Sequence, residues 1–231
     1  MADDLRFKLG RGTKIYIGLL PLNSTAEPTS APTITEDGTG VAAGATSIGL
    51  SAALGAGVFI PSGQYLTFTD SNDEATVVQL TDDAEAGDTS LTVAATQKAI
   101  AASATSEFPV RLRGRTAANL SSDGNLTEVT DFESDGYSRG IITSVGQSLD
   151  IPGNFLPDDA GVRTAQYSLR EQRQVYLWLE QSQDIPGSTT GEQNKGPGSI
   201  TSFGQDTPAD GVMTANMGFT FFGKPEFTLE A

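Results

Sequence analysis

Ala43-Gly44-Ala45-Thr46-Ser47-Ile48-Gly49-Leu50 and Ala86-Gly87-Asp88-Thr89-Ser90-Leu91-Thr92-Val93 share the pattern A-G-x-T-S-[I/L]-x-[L/V] at a spacing of 43 residues. Each joins a Gly turn to a short run in which apolar and small residues alternate, as in a strand with one buried face. Around them, Val58-Phe59-Ile60-Pro61-Ser62-Gly63 makes a turn into Gln64–Thr69, where Leu66 and Phe68 share a face, and Val77–Leu80 reads as a further strand. Two such copies predict a small pseudo-symmetric β-barrel or sandwich that closes near 104–108. Coincidental Ala-Gly-Thr-Ser turn chemistry is the alternative.

Bracketing residues 35–108 as an inserted unit leaves 1–34 and 109–231 as one β-rich frame. The stretch 20–40 is rich in Pro, Ser and Thr with no apolar period, as expected of a connection. In the frame, Ile15, Ile17 and Leu19 alternate with Lys14, Tyr16 and Gly18, which predicts a half-buried strand. Val110 and Leu112 alternate with Arg111, Arg113 and Arg115 in the same way. Residues 141–151 predict a long strand or a bent pair. Pro157-Asp158-Asp159, followed by Val162, Ala165 and Leu169, predicts one short helix ending near Gln172. Val175–Glu180 alternates aliphatic with aromatic residues. A Gly-rich loop is expected over 187–198 and a short strand over 200–203. Met213, Ala215, Met217, Phe219 and Phe221 define one face of a last long strand. At 231 residues, with 26 Gly and 11 Pro, the chain has the size and turn content of an all-β fold with a substantial core.

The absence of Cys and His removes disulfides, thiolate and imidazole chemistry, Ser-His-Asp triads and nearly all zinc sites. No cofactor is implied, and an enzyme is not expected. Neither a run of the roughly 20 apolar residues that a membrane helix needs nor a signal peptide is visible, so a soluble protein made in a cytoplasm is expected. The net charge is −15, split as +1 over 1–34, −9 over 35–108 and −7 over 109–231. It opposes ordinary nucleic-acid binding.

Asp131-Phe132-Glu133-Ser134-Asp135-Gly136 opens like a calcium loop, but its twelfth position would be Ile142 where a bidentate Glu is needed, so it reads as a solvated turn. Asp70–Glu74 reads as a polar hairpin tip. Gly10–Lys14 lacks the phosphate-loop spacing and precedes a strand. Arg111, Arg113 and Arg115 put three guanidinium groups on one strand face, which suits pairing with acids of the same chain and of a neighbouring subunit equally well. Tyr176 and Trp178 suit a core or a subunit interface.

The order of these elements resembles that of the major tail tube proteins of long-tailed bacteriophages. The resemblance covers 5–34 and 109–228, and its most suggestive runs are Gly10–Ile17, Val129–Glu133, Asp158–Val162 and Thr214–Gly223. It implies a mainly β, tail-tube-like sandwich or barrel with one short helix, here carrying an accessory β domain. It also implies self-assembly into homohexameric rings that stack into the conduit for DNA ejection. The implied partners are other copies of the chain and other tail proteins: a sheath if the tail contracts, a terminator, and a baseplate or tip. DNA would pass without specific binding, no membrane is involved, and the location is the virion. Arg111, Arg113, Arg115, Tyr176 and Trp178 are candidate subunit contacts, and the loops at 20–34 and 184–198 are expected to join neighbours. A carbohydrate-binding or adhesin-like surface module is the alternative reading.

Overall fold

The computed structural model describes residues 13–22, 24–129, 139–181, 191–208 and 211–230. The chain forms β1 (Thr13–Leu19), then β2 (Ala31–Thr35), β3 (Ser47–Gly49), β4 (Phe59–Ile60), β5 (Tyr65–Thr69), β6 (Ala75–Gln79), β7 (Ala84–Glu85), β8 (Ser90–Thr92) and β9 (Thr105–Phe108). There follow β10 (Val110–Arg111), β11 (Asn119–Val129), β12 (Arg139–Asn154), helix α1 (Ala160–Arg170), β13 (Val175–Gln181), β14 (Gly191–Asp206), β15 (Thr214–Phe221) and β16 (Glu226–Glu230). The fold is mainly β, with one helix among the described residues.

The largest sheet runs β10-β1-β13-β14-β15-β12-β11, with β16 added beside β14. Its first and last strands belong to one stretch of chain. Val110 and Arg111 pair with β1, Arg115 bridges Gly153 of β12, and β11 then pairs along β12, so the stretch touches both ends of the sheet and closes it like a barrel. The inward residues are those that alternation selects: Ile15, Ile17 and Leu19 of β1, Val175, Leu177 and Leu179 of β13, Leu149 and Ile151 of β12, and Met217, Phe219 and Phe221 of β15.

Helix α1 starts where its sequence indicates. Asp159 is the N-cap and accepts the Val162 N–H, and the last turn ends on Glu171. Its buried stripe is Ala160, Val162, Ala165 and two polar residues, Thr164 and Ser168, while Leu169 stays 36% exposed. The hydroxyls explain the exception. Ser168 Oγ donates to the Arg173 carbonyl, and Thr164 Oγ1 accepts from the buried Gln64 amide, whose Oε1 takes the Leu19 N–H at 2.8 Å. The helix is therefore packed between the large sheet and β5.

In the inserted unit the two repeats pair with each other. Ser47, Ile48 and Gly49 lie antiparallel to Thr92, Leu91 and Ser90, and the Leu50 and Val93 amides donate to the Thr89 and Thr46 carbonyls, which are equivalent bonds in opposite copies. Gly44 and Gly87, second in each repeat, both have positive φ (+87° and +95°), the left-handed conformation that only Gly adopts without cost. The equivalence extends outward: the turns 61–64 and 101–104 carry matching Gln64-to-Pro61 and Ala104-to-Ala101 bonds, and the four-stranded sheet β2-β9-β5-β6 joins the start of each half to the end of the other. The apolar core runs without a break from this unit (Ile48, Leu66, Phe68, Leu91) into the frame (Ile17, Val162, Leu177, Phe219).

Two expectations give way. The stretch 191–198 is part of the 16-residue β14, pairing with β13 on one side and, over 191–195, with β16 on the other. Gly is needed there for close approach: a Cβ on Gly198 would meet the Thr220 carbonyl and the Phe219 ring, and one on Gly196 would press on Phe221. Trimming 187–196 would thus remove strand pairing. The strand expected over 110–115 ends at Arg111. The structure also adds a strand that the sequence reading does not assign: β11 runs through Ser121-Ser122-Asp123-Gly124-Asn125, which has no apolar alternation.

Candidate assembly surfaces

The hairpin of β11 and β12 extends past the body of the sheet. β12 pairs with β15 only as far as Ser148, opposite Thr220, yet the ladder with β11 continues from Ser121/Ser148 to Val129/Arg139. That is about 25 Å of two-stranded ribbon at the usual rise per residue. The substantial contacts of β11 are with β12 alone. Every side chain from Asn119 to Gly124 is exposed, and on the partner strand Val145 is 57% exposed. At the root of the ribbon, Gln147 Oε1 is buried with no hydrogen-bond partner among the described residues. Phe222 and Phe227, which flank the Lys224-Pro225 break before β16, are 43% and 55% exposed.

The three arginines do not share a strand face. Arg111 and Arg113 are exposed, whereas Arg115 folds back into the frame after Gly114, which has φ +71°. The Arg115 guanidinium donates to the carbonyls of Arg113 (3.1 Å), Ala215 (3.4 Å) and Asn154. Burial pulls its pKa down, with nearby Asp159 pushing back. Arg115 is thus engaged within its own chain, pinning the closing stretch to β12 and β15.

Tyr176 and Trp178 lie on the face of β13 opposite the main core and cluster with Leu20, flanked by Tyr16. Both are buried in the isolated chain, at 3% and 7% exposure. The cover comes from a segment that sequence reading treats as a plain connection. Glu27 accepts from Trp178 Nε1 at 2.9 Å and from Lys195 Nζ at 2.7 Å, and Lys195 also reaches Glu226 at 3.5 Å. The Glu27 bond holds the Lys195 pKa above the ordinary lysine range, and burial, reinforced by Glu27 and Glu226, raises that of Tyr176. The connection is further fixed by Arg173 donating to the Leu20 carbonyl. Nothing in a Pro/Ser/Thr-rich stretch marks Glu27 out. The nearest sequence signal is the aromatic pair itself, whose indole N–H needs an acceptor when buried. Beside this cluster an open groove of about 620 Å³ runs between Tyr16, Trp178 and Pro109, edged by Glu107 and Glu180.

Asp70 accepts the Asn72 and Glu74 amides, the second of which does most to lower its pKa, so this tip is the self-capped turn its sequence describes. Asp131–Gly136 and Gly10–Gly12 lie outside the described residues. Among the described residues no group of three or more His, Cys, Asp or Glu side chains is placed to hold a metal, and no helix is long and apolar enough to cross a membrane.

No protein-family model and no curated protein matches the chain. Among solved structures it is similar to a chain in the tail of an empty gene transfer agent particle of C6 symmetry, with a TM-score of 0.41 and 21% identity over 50% of this chain and 82% of that one. It is likewise similar to a chain in the virion of a native gene transfer agent particle, with a TM-score of 0.41 and 22% identity over 50% of this chain and 85% of that one.

Proposed function

We propose that this chain is a structural virion protein that self-assembles into stacked hexameric rings, forming the tube through which a phage genome leaves its capsid. The observation that carries the reading is the β11–β12 ribbon. A two-stranded hairpin standing clear of a core is marginal in water, and both its edges offer unpaired backbone groups, so it calls for a neighbour that covers it. A second copy of the chain is the economical neighbour, because repeating one contact around a ring satisfies every copy equally. The sequence runs that resemble tail tube proteins support the same reading and supply its hexameric form.

In this assembly the unit 35–108 forms an accessory domain on the outside of the tube, and its −9 charge faces solvent. The frame, at +1 and −7 over its two pieces, lines a channel to which phosphates do not adhere. Tail terminator and tip proteins, and a sheath where the tail contracts, bind the ends and outside of the stack. The role is mechanical rather than catalytic. Electron microscopy of the purified chain across protein concentration and salt tests the proposal. Stacked rings or hollow tubes are expected, and a chain that stays monomeric throughout, by light scattering as well as by imaging, overturns it.

A further inference from the structure

Where the inserted unit meets the frame, Thr33 of β2, Thr67 and Thr69 of β5 and Thr105 of β9 share a pocket of about 240 Å³ with Arg111 and Arg113. The two arginines are brought to one side by the buried Leu112 between them, and the Arg113 backbone is fixed by its N–H bond to Asp159 Oδ2. Neither guanidinium makes an ion pair among the described residues, where the ion pairs are those of Lys195, whereas the Arg115 guanidinium is taken up by backbone carbonyls. Ser106 also lines the pocket, though its own Oγ is shielded from solvent on the buried face of β9. The site therefore gathers two fixed-charge donors and several hydroxyls, all able to donate, around one concavity. Among the described residues its single carboxylate is Glu107. Among the described residues no aromatic ring lines it, so they offer no platform for stacking a base or a sugar.

We propose that this pocket binds a free tetrahedral oxyanion, phosphate or sulfate. Guanidinium groups give such ions paired, charge-assisted hydrogen bonds, and threonine hydroxyls rotate to complete the shell. The bound ion ties the sheet of β2, β5 and β9 to the stretch that begins with β10. Glu107 opposes the ion and sets its affinity low, so removing that charge tightens binding.

The test is calorimetric titration of the full chain with sodium phosphate and with sodium sulfate against sodium chloride at equal ionic strength, with light scattering recording the assembly state in parallel. Saturable one-site binding of phosphate and sulfate, absent with chloride, is expected whether the chain is monomeric or assembled, so failure to form tubes leaves this inference standing. The R111Q/R113Q double variant, altered only at exposed side chains, is expected to keep its Tm in chloride and to bind at least about tenfold more weakly. E107Q is expected to bind more tightly. T67V supplies a second variant that removes one hydroxyl at nearly constant volume and weakens binding. Heats indistinguishable from chloride, undiminished binding by the double variant, or unchanged affinity in E107Q would each overturn the proposal.

Discussion

Asp159 concentrates several constraints in one side chain. It is 4% exposed, caps α1 and holds the Arg113 amide, and burial raises its pKa against the two backbone bonds and the pull of Arg113 and Arg115. Folding thus favours its protonated form. Its contribution to stability is fullest below the ordinary aspartate value of 3.8 and is lost as pH rises through the raised folded value. Asn keeps an acceptor and cannot titrate, so D159N should gain stability relative to wild type as pH climbs from about 3 to 7, whereas D159A should lose about 1–2 kcal/mol for the missing cap, both read by urea denaturation. A backbone constraint acts at Gly198, where a methyl group has no room between the Thr220 carbonyl and the Phe219 ring. G198A should cost about 1–3 kcal/mol, seen as a lower denaturation midpoint at unchanged slope.

At the scale of elements, the ribbon and the paired repeats make opposite demands. Joining Ser122 to Gln147 through an Asn-Gly turn would remove the projecting ribbon and keep the pairs that lie against β15. The shortened chain should retain its Tm and lose the ability to form rings or tubes by electron microscopy. Ile48 and Leu91 face each other across β3 and β8 and are both fully buried, so I48A and L91A should each cost about 2–5 kcal/mol, by similar amounts, and the double variant should depart from additivity because the two share one cavity. Legibility in the sequence follows the same division. β1, β13, β15 and α1 bury one face, and their periodicity announces them. β11 is exposed over 119–124 and has no apolar alternation to announce it, and the first half of β14 needs Gly so that Phe219 and Phe221 can lie against its backbone, so the second reads as a loop. The candidate contacts divide likewise: the Tyr176/Trp178 face is visible as an alternation, but its cover, Glu27, comes from more than a hundred positions away and depends on the fold.

Across the whole molecule the 35–108 unit carries its own repeat and three strands of a four-stranded sheet completed by β2, yet the apolar cluster crosses from it into the frame, and Gln64 ties Leu19 and Thr164 across the junction. We therefore expect the chain to melt in a single cooperative transition, with calorimetric and van't Hoff enthalpies in agreement, where two resolved transitions would mark an independent unit. The same junction shows what the duplication makes possible. The bonds exchanged between Leu50 and Thr89 and between Val93 and Thr46 are those that two identical half-length polypeptides would exchange across a two-fold axis. Tethering the halves gives each a permanent high effective concentration of the other, so neither must remain self-complementary. Gln64 and Ala104 stand at equivalent turns and their carbonyls receive matching amides, those of Leu80 and Glu36, yet Gln64 alone of the two has a side chain that reaches the helix of the frame. Covalent fusion releases half of a symmetric pair to specialise in attachment while its sibling keeps the shared architecture intact.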